Sequence, residues 1–282
     1  MLTRTLTWLS LMWLMSPITS TLAQPPPPVA THLIEVDGHK IAFHVTPGHD
    51  PTIVLDAGGG LDSSYWAVFA PELARRTGSQ IITYDRAGFG ASDEVSGAWN
   101  VHSAVRDLAV GLEKLHATHR VILVAHSIAG EIATYLIGQH PEWFIGGVLV
   151  DANVPDFYTE QEIARMQAIY APILAATKAA APTKPGRQLL AVADSFVETS
   201  RAFHGASWPV SVPAVVIVSE KTPFDDAADV RWWKDAHAQF AKRAPNRRLV
   251  TAAGSSHDVA HDRPDVISSA IAEIAAAHGA KR

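Results

Sequence analysis

Five short β-branched or aliphatic runs constrain this chain more than anything else in it: Ile53-Val54-Leu55, Ile81-Ile82-Thr83-Tyr84, Val121-Ile122-Leu123-Val124, Gly147-Val148-Leu149-Val150 and Ala214-Val215-Val216-Ile217-Val218. A strand with one wet face alternates apolar and polar residues. These runs do not, so each reads as a strand buried on both faces. Helix-forming stretches lie between them, among them Val101 to His116 and Ile128 to His140. Alternating strand and helix implies an α/β fold, a doubly wound and mostly parallel sheet with helices on both sides. The start of the domain differs. His32 to Val36 and Lys40 to Val45 flank Asp37-Gly38, a pair suited to the positive φ angles of a tight hairpin, so the opening strands are expected to be antiparallel.

One connection is unusually long, about residues 153–212 between the fourth and fifth runs. Loops of that length rarely lack structure of their own. Glu160 to Lys178 and Gln188 to Phe203 are rich in helix formers, with Pro182 and Pro185-Gly186 between them, which predicts an inserted helical cap. Met166, Tyr170, Phe196, Phe203 and Trp208 are its large apolar side chains. At helical spacing, such residues more often pack a cap onto a core than line a pocket.

A chain of 282 residues, 48 % hydrophobic and 18 % charged, suits one large globular domain. Its 23 Lys and Arg against 28 Asp and Glu leave a net charge of −5, which gives no electrostatic case for nucleic acid or an anionic membrane. The expected partner is a small molecule. At the N-terminus Arg4 precedes an apolar run from Leu6 to Met15, followed by Pro17 and the small-x-small pattern Thr21-Leu22-Ala23. That pattern predicts a signal peptide over 1–23, a Pro-rich leader over 24–29 and a folded domain from 30 to 282, in the periplasm or secreted. The run is about half the roughly 20 residues that span a bilayer, so no stable anchor is expected after processing. The chain has no cysteine, which removes disulfides and thiolate zinc sites.

Chemistry concentrates after the third run. Ala125-His126-Ser127-Ile128-Ala129-Gly130 passes directly from strand to helix with small residues two before and two after Ser127. A nucleophile elbow needs that arrangement, since larger side chains would collide in so sharp a turn. It also sets the hydroxyl at a helix N-terminus, where free N–H groups favour developing negative charge. Asp56-Ala57-Gly58-Gly59-Gly60 lacks a following Lys-Ser/Thr, and Gly88-Phe89-Gly90 lacks a third glycine at Asp93, so neither is read as a phosphate or dinucleotide cradle.

With these segments, Asp85-Arg86-Ala87-Gly88-Phe89-Gly90-Ala91-Ser92 and Gly254-Ser255-Ser256-His257, the chain from Val29 onward resembles the α/β-hydrolase superfamily. It looks most like the bacterial esterase-like serine hydrolases that read Leu-Val-Asp after the strand beyond the nucleophile. The resemblance implies an oxyanion hole from the backbone N–H groups of Gly59 and Ile128, a structural turn at Asp85, and a base, His257, last in chain order on a flexible loop. His261 lies four residues on, but Asp258 stands where a zinc helix has Glu and no helix is expected before Pro264, so no metal site is predicted. The superfamily usually takes its acid from the loop after Ala214 to Val218, where Thr222 now stands. The other known position is Asp151, which is favoured here, with Glu220, Asp225 and Asp226 as alternatives.

The implied function is an exported, cofactor-free serine hydrolase that cleaves a carboxylic ester or related acyl bond through Ser127, His257 and Asp151. The alternatives are a catalytically silent ligand-binding homologue and a cofactor-free haloperoxidase-like or carbon–carbon bond hydrolase on the same residues.

Overall fold

The structure is a computed structural model that describes residues 28–180 and 183–279. The expected signal peptide, the expected leader up to Pro27 and Pro182 lie outside the described residues.

Eight strands form one sheet in the order β1-β2-β4-β3-β5-β6-β7-β8. They are β1 (Ala30–Val36), β2 (His39–Thr46), β3 (His49–Asp56), β4 (Ser79–Asp85), β5 (Val121–His126), β6 (Phe144–Val150), β7 (Ala214–Ser219) and β8 (Arg247–Ala252). The hairpin β1–β2 turns at Asp37 and Gly38, with φ of 47° and 86°, and β2 pairs antiparallel with β4. All later pairings are parallel.

The aliphatic runs separate two cores by the two-residue period of a strand. Val54, Leu123, Leu149 and Val216 enter one core with α2 (Val101–Lys114), α3 (Ala129–Gln139) and α6 (Ala227–Lys242). Ile53, Val124, Val148 and Ile217 enter the other with α1 (Phe69–Thr77) and α8 (Pro264–Gly279). Strand order reverses at β3, because β4 is added on one side of it and β5 on the other. A crevice for ligand is expected outside the carboxyl ends of the strands at such a point.

The cap consists of α4 (Glu160–Ala179) and α5 (Lys184–His204). Pro185 and Gly186, expected between the helices, instead lie in the first turn of α5. There proline is tolerated, since a first-turn N–H has no partner within the helix anyway. Ile163, Met166, Phe203 and Trp208 are buried in the first core and Phe196 packs against it, whereas Tyr170 is exposed. The cap is therefore fastened at its root. Truncating Phe203 to Ala is expected to cost about 3–5 kcal/mol. A short helix, α7 (Val259–Asp262), also forms before Pro264, where none was expected. Among the described residues no helix is long and apolar enough to cross a membrane.

Candidate active site

Loops from the carboxyl ends of β3, β5, β6 and β8 converge. β5 ends in a turn where Ser127 adopts φ 55°, the left-handed region that a non-glycine residue occupies only when its surroundings hold it there. The holding bonds are clear. Ser127 N–H donates to Val150 O at 3.3 Å, and Ser127 O accepts from Asn153 N–H at 2.8 Å. Ala125 and Ala129 are fully buried at the flanking small positions. The tightest position is Gly130, where a Cβ would come within 2.2 Å of Asn153 O.

Asp151, at the end of β6, is also left-handed, with φ 43°. Its carboxylate is completely buried and fully engaged. Oδ1 accepts from Ser219 N–H at 3.0 Å and from the Trp233 indole at 2.8 Å; Oδ2 accepts from the Ser219 hydroxyl at 2.6 Å and lies 2.7 Å from His257 Nδ1. Burial pushes this carboxyl up. The His257 hydrogen bond, the nearby His237 and His257 imidazoles and the Ser219 hydroxyl outweigh that and hold it below the usual carboxylate range. It is ionised at neutral pH and can only accept, so His257 Nδ1 carries a proton toward it, and in the neutral imidazole that tautomer leaves the lone pair on Nε2.

The alternatives to Asp151 are occupied elsewhere. Glu220 accepts from Gly254 N–H at 2.6 Å, Asp226 caps α6 and pairs with Arg165, and Asp225 is exposed. Thr222 Oγ1 accepts from Phe224 N–H at 3.4 Å.

The segment that carries His257, expected to be flexible, is tied down on several sides. Lys221 N–H donates to Ser255 O at 2.9 Å, Arg263 to Ala253 O at 2.6 Å, and Ser256 N–H to Asp262 Oδ2 at 2.7 Å. His261 turns aside to Asp258, 2.8 Å away. Among the described residues no group of three or more His, Asp or Glu side chains is placed to hold a metal ion.

The glycine loop after β3 packs onto the elbow. A Cβ on Gly58 would stand 2.7 Å from His126 Nδ1 and 3.3 Å from Ser127 Cβ, so only glycine allows this approach. Gly59 neighbours Ile128, with 3.6 Å from a Cβ built on it to Ile128 Cγ2. Asp85 organises the adjoining turns. Its carboxylate accepts from Ser63 N–H at 2.9 Å and Ala91 N–H at 2.9 Å, and its backbone O accepts from the Ser92 hydroxyl.

Four residues around the site were given no role from the sequence: His126 and Arg86, which stood in quoted motifs, and Ser219 and Trp233. His126 stacks on Tyr65 with ring centroids 4.8 Å apart and lies 4.7 Å from the His257 ring. Trp233 belongs to the buried stripe of α6 with Ala236, His237 and Phe240, a pattern that announces packing rather than a bond to a carboxylate.

Residues 53–270 match the Alpha/beta hydrolase family. The chain belongs to the alpha/beta hydrolase family. An uncharacterized protein of Bacillus subtilis, YqjL, is 24 % identical over 226 residues, 79 % of this chain and 83 % of that one. Among solved structures, a thermophilic esterase from Thermogutta terrifontis superposes with a TM-score of 0.62 at 18 % identity, over 87 % of this chain and 97 % of that one. A bromoperoxidase from Bacillus anthracis gives 0.64 at 17 % identity, over 88 % and 99 %. At these identities the superpositions establish the hydrolase fold.

Proposed function

We propose that this hydrolase is an exported serine carboxylesterase working through an acyl-enzyme. The observation that carries the reading is the 2.7 Å contact of His257 Nδ1 with a buried, ionised Asp151, beside a left-handed Ser127 at a helix N-terminus. In the proposed cycle His257 Nε2 takes the Ser127 proton as Oγ bonds to the ester carbonyl carbon. Asp151 stabilises the imidazolium, and the backbone N–H groups of Gly59 and Ile128 receive the oxyanion. Collapse breaks the ester C–O bond, and the departing alkoxide takes the proton from His257. Water, deprotonated by the same imidazole, then attacks the acyl carbon, releasing the carboxylic acid and restoring Ser127. Each oxyanion donor is worth about 2.7–4 kcal/mol of transition-state stabilisation.

A fluorophosphonate probe tests the nucleophile, and a panel of p-nitrophenyl esters of increasing chain length tests the substrate class. A covalent adduct on Ser127 with ester turnover is the expected result. Tight ligand binding with no adduct and no turnover would instead identify a silent binding protein.

A further inference from the structure

We propose that Arg86 is a positioning residue that aims the Gly59 N–H at the reacting carbonyl. The proposal rests on the reading of Ser127 as nucleophile and of Gly59 as an oxyanion donor.

The Arg86 guanidinium is buried at the end of β4 and bonds entirely into the end of β3. Nη1 donates to Asp56 Oδ1 at 2.6 Å and to Ala57 O at 2.5 Å, and Nη2 donates to Gly58 O. Asp56 is held in turn by the Tyr84 hydroxyl at 2.8 Å. One planar fork thus grips a carboxylate and two consecutive backbone carbonyls. Lysine could not do this, because its compact ammonium has no fixed planar array of donors.

In a trans peptide the C=O and the following N–H point in opposite directions across one rigid plane. Holding Gly58 O toward Arg86 therefore fixes Gly59 N–H away from Arg86. The strand order decides what lies on that far side. In β4-β3-β5, Arg86 extends from β4 and Ser127 from β5, so the β3 loop stands between them. The close approach of Gly58 to Ser127 and of Gly59 to Ile128 shows that the loop's other side faces the elbow. Gly58 O also accepts from Leu61 N–H at 3.3 Å, which closes the turn through Gly60. Without Arg86 this peptide plane would keep only that longer bond, in a stretch of three glycines with wide conformational freedom.

The alternative role for Arg86, a counter-ion that merely stabilises buried Asp56, would lower the melting temperature of a variant and leave turnover by the folded fraction unchanged. Steady-state kinetics of Arg86→Gln and Arg86→Lys on a p-nitrophenyl ester, with the folded fraction quantified by circular dichroism, separates the two. A trifluoromethyl ketone, whose adduct with serine carries an oxyanion, supplies the second readout. Removing a donor outright costs about 10²–10³ in kcat, so misaiming one is expected to lower kcat by roughly 10- to 100-fold in Arg86→Gln with KM little changed. Affinity for the ketone should fall in parallel, and Arg86→Lys should lie between that variant and the wild type. Should Arg86→Gln fail to fold, the charge-neutral pair Asp56→Asn/Arg86→Gln carries the same expectation beside Arg86→Lys. Normal kcat and ketone affinity in the folded variants, with Ser127→Ala inactive, would overturn the role of Arg86 and leave the esterase reading intact. An active Ser127→Ala would overturn both.

Discussion

The Nε2 of His126 lies 3.0 Å from the backbone oxygen of His257, and since a carbonyl only accepts, that nitrogen carries the ring proton. The residue before the proposed nucleophile thus holds the residue proposed as the base. Burial and the neighbouring His257 lower the His126 pKa to about 4, so the ring stays neutral and keeps this tautomer across the pH range in which esterases are assayed. His126→Phe preserves an aromatic ring but loses the donor. It should lower kcat by roughly 10- to 100-fold through misplacement of His257, without adding a new limb to the pH–rate profile between pH 5 and 8. Unchanged kcat across that range would contradict the prediction.

Ser127→Ala should reduce ester hydrolysis on the order of 10⁶-fold. Because φ at this position is 55°, Ser127→Gly should be equally inactive yet more stable than Ser127→Ala, by about 1 kcal/mol. Paired melting curves of the two variants provide the check.

Asp151→Asn should keep the fold and lower kcat by roughly 10⁴, since an amide cannot sustain the tautomer that leaves Nε2 free. Glu220→Gln, Asp225→Asn and Asp226→Asn should each stay within a few-fold of the wild type. A kinetic comparison of the four proteins would reassign the acid if one of the latter three proved the most damaged.

Glu131, one turn after Ser127 on α3, is buried among neutral partners: Asn153 Nδ2 donates to it at 2.7 Å, and the Tyr158 hydroxyl also bonds to it. Burial raises its carboxyl from 4.5 to about 7. The folded state thus holds a proton that the unfolded chain releases above about pH 4.5, and this contribution to stability is lost as pH rises toward 7. The loss amounts to about 3 kcal/mol at 1.36 kcal/mol per pH unit. Glu131→Gln removes the titration, so the stability of wild type relative to this variant should decline between pH 4.5 and 7 and then level off. Denaturant unfolding of both proteins at several pH values measures it, and a constant difference would rule the mechanism out.

Export should show in the mature N-terminus. Protein recovered from its native host should begin at Gln24, and intact Met1 in a soluble cytoplasmic fraction would exclude processing.

What was legible in the sequence was local. Runs such as Val121 to Val124 announce strands through β-branching, and the small residues around Ser127 announce a sharp turn. Even Asp151 and His257, 106 residues apart, could be paired, because each follows a recognisable segment. Ser219 and Trp233 could not. Their bonds to Asp151 cross 68 and 82 residues and exist because β6 and β7 are neighbours and α6 packs beside them. Arg86 sat in a motif whose glycines drew attention, while its three acceptors come from another strand end. The early start of α5 was missed because proline reads as a breaker unless its place in the first turn is known.

The cap leaves the sheet after Val150 and returns at Ala214, on β6 and β7, which are adjacent and paired Val150 to Ile217. Because that pairing is parallel, the segment leaves the carboxyl end of β6 and must return to the amino end of β7, where Ala214 pairs with Gly147, so its two anchor points are fixed by the sheet whatever the length of chain between them. Closing a longer loop over a fixed gap costs little, about 0.6 kcal/mol per doubling of length. Lengthening, shortening or exchanging its outer part should then leave Asp151 and Ser219 in register. The molecule has in effect a socket: the exposed outer part of the cap around Tyr170 and Ile173 can be regrafted, while Asn153, Met166 and Phe203 stay as the root that holds Ser127 and seats the cap on the core.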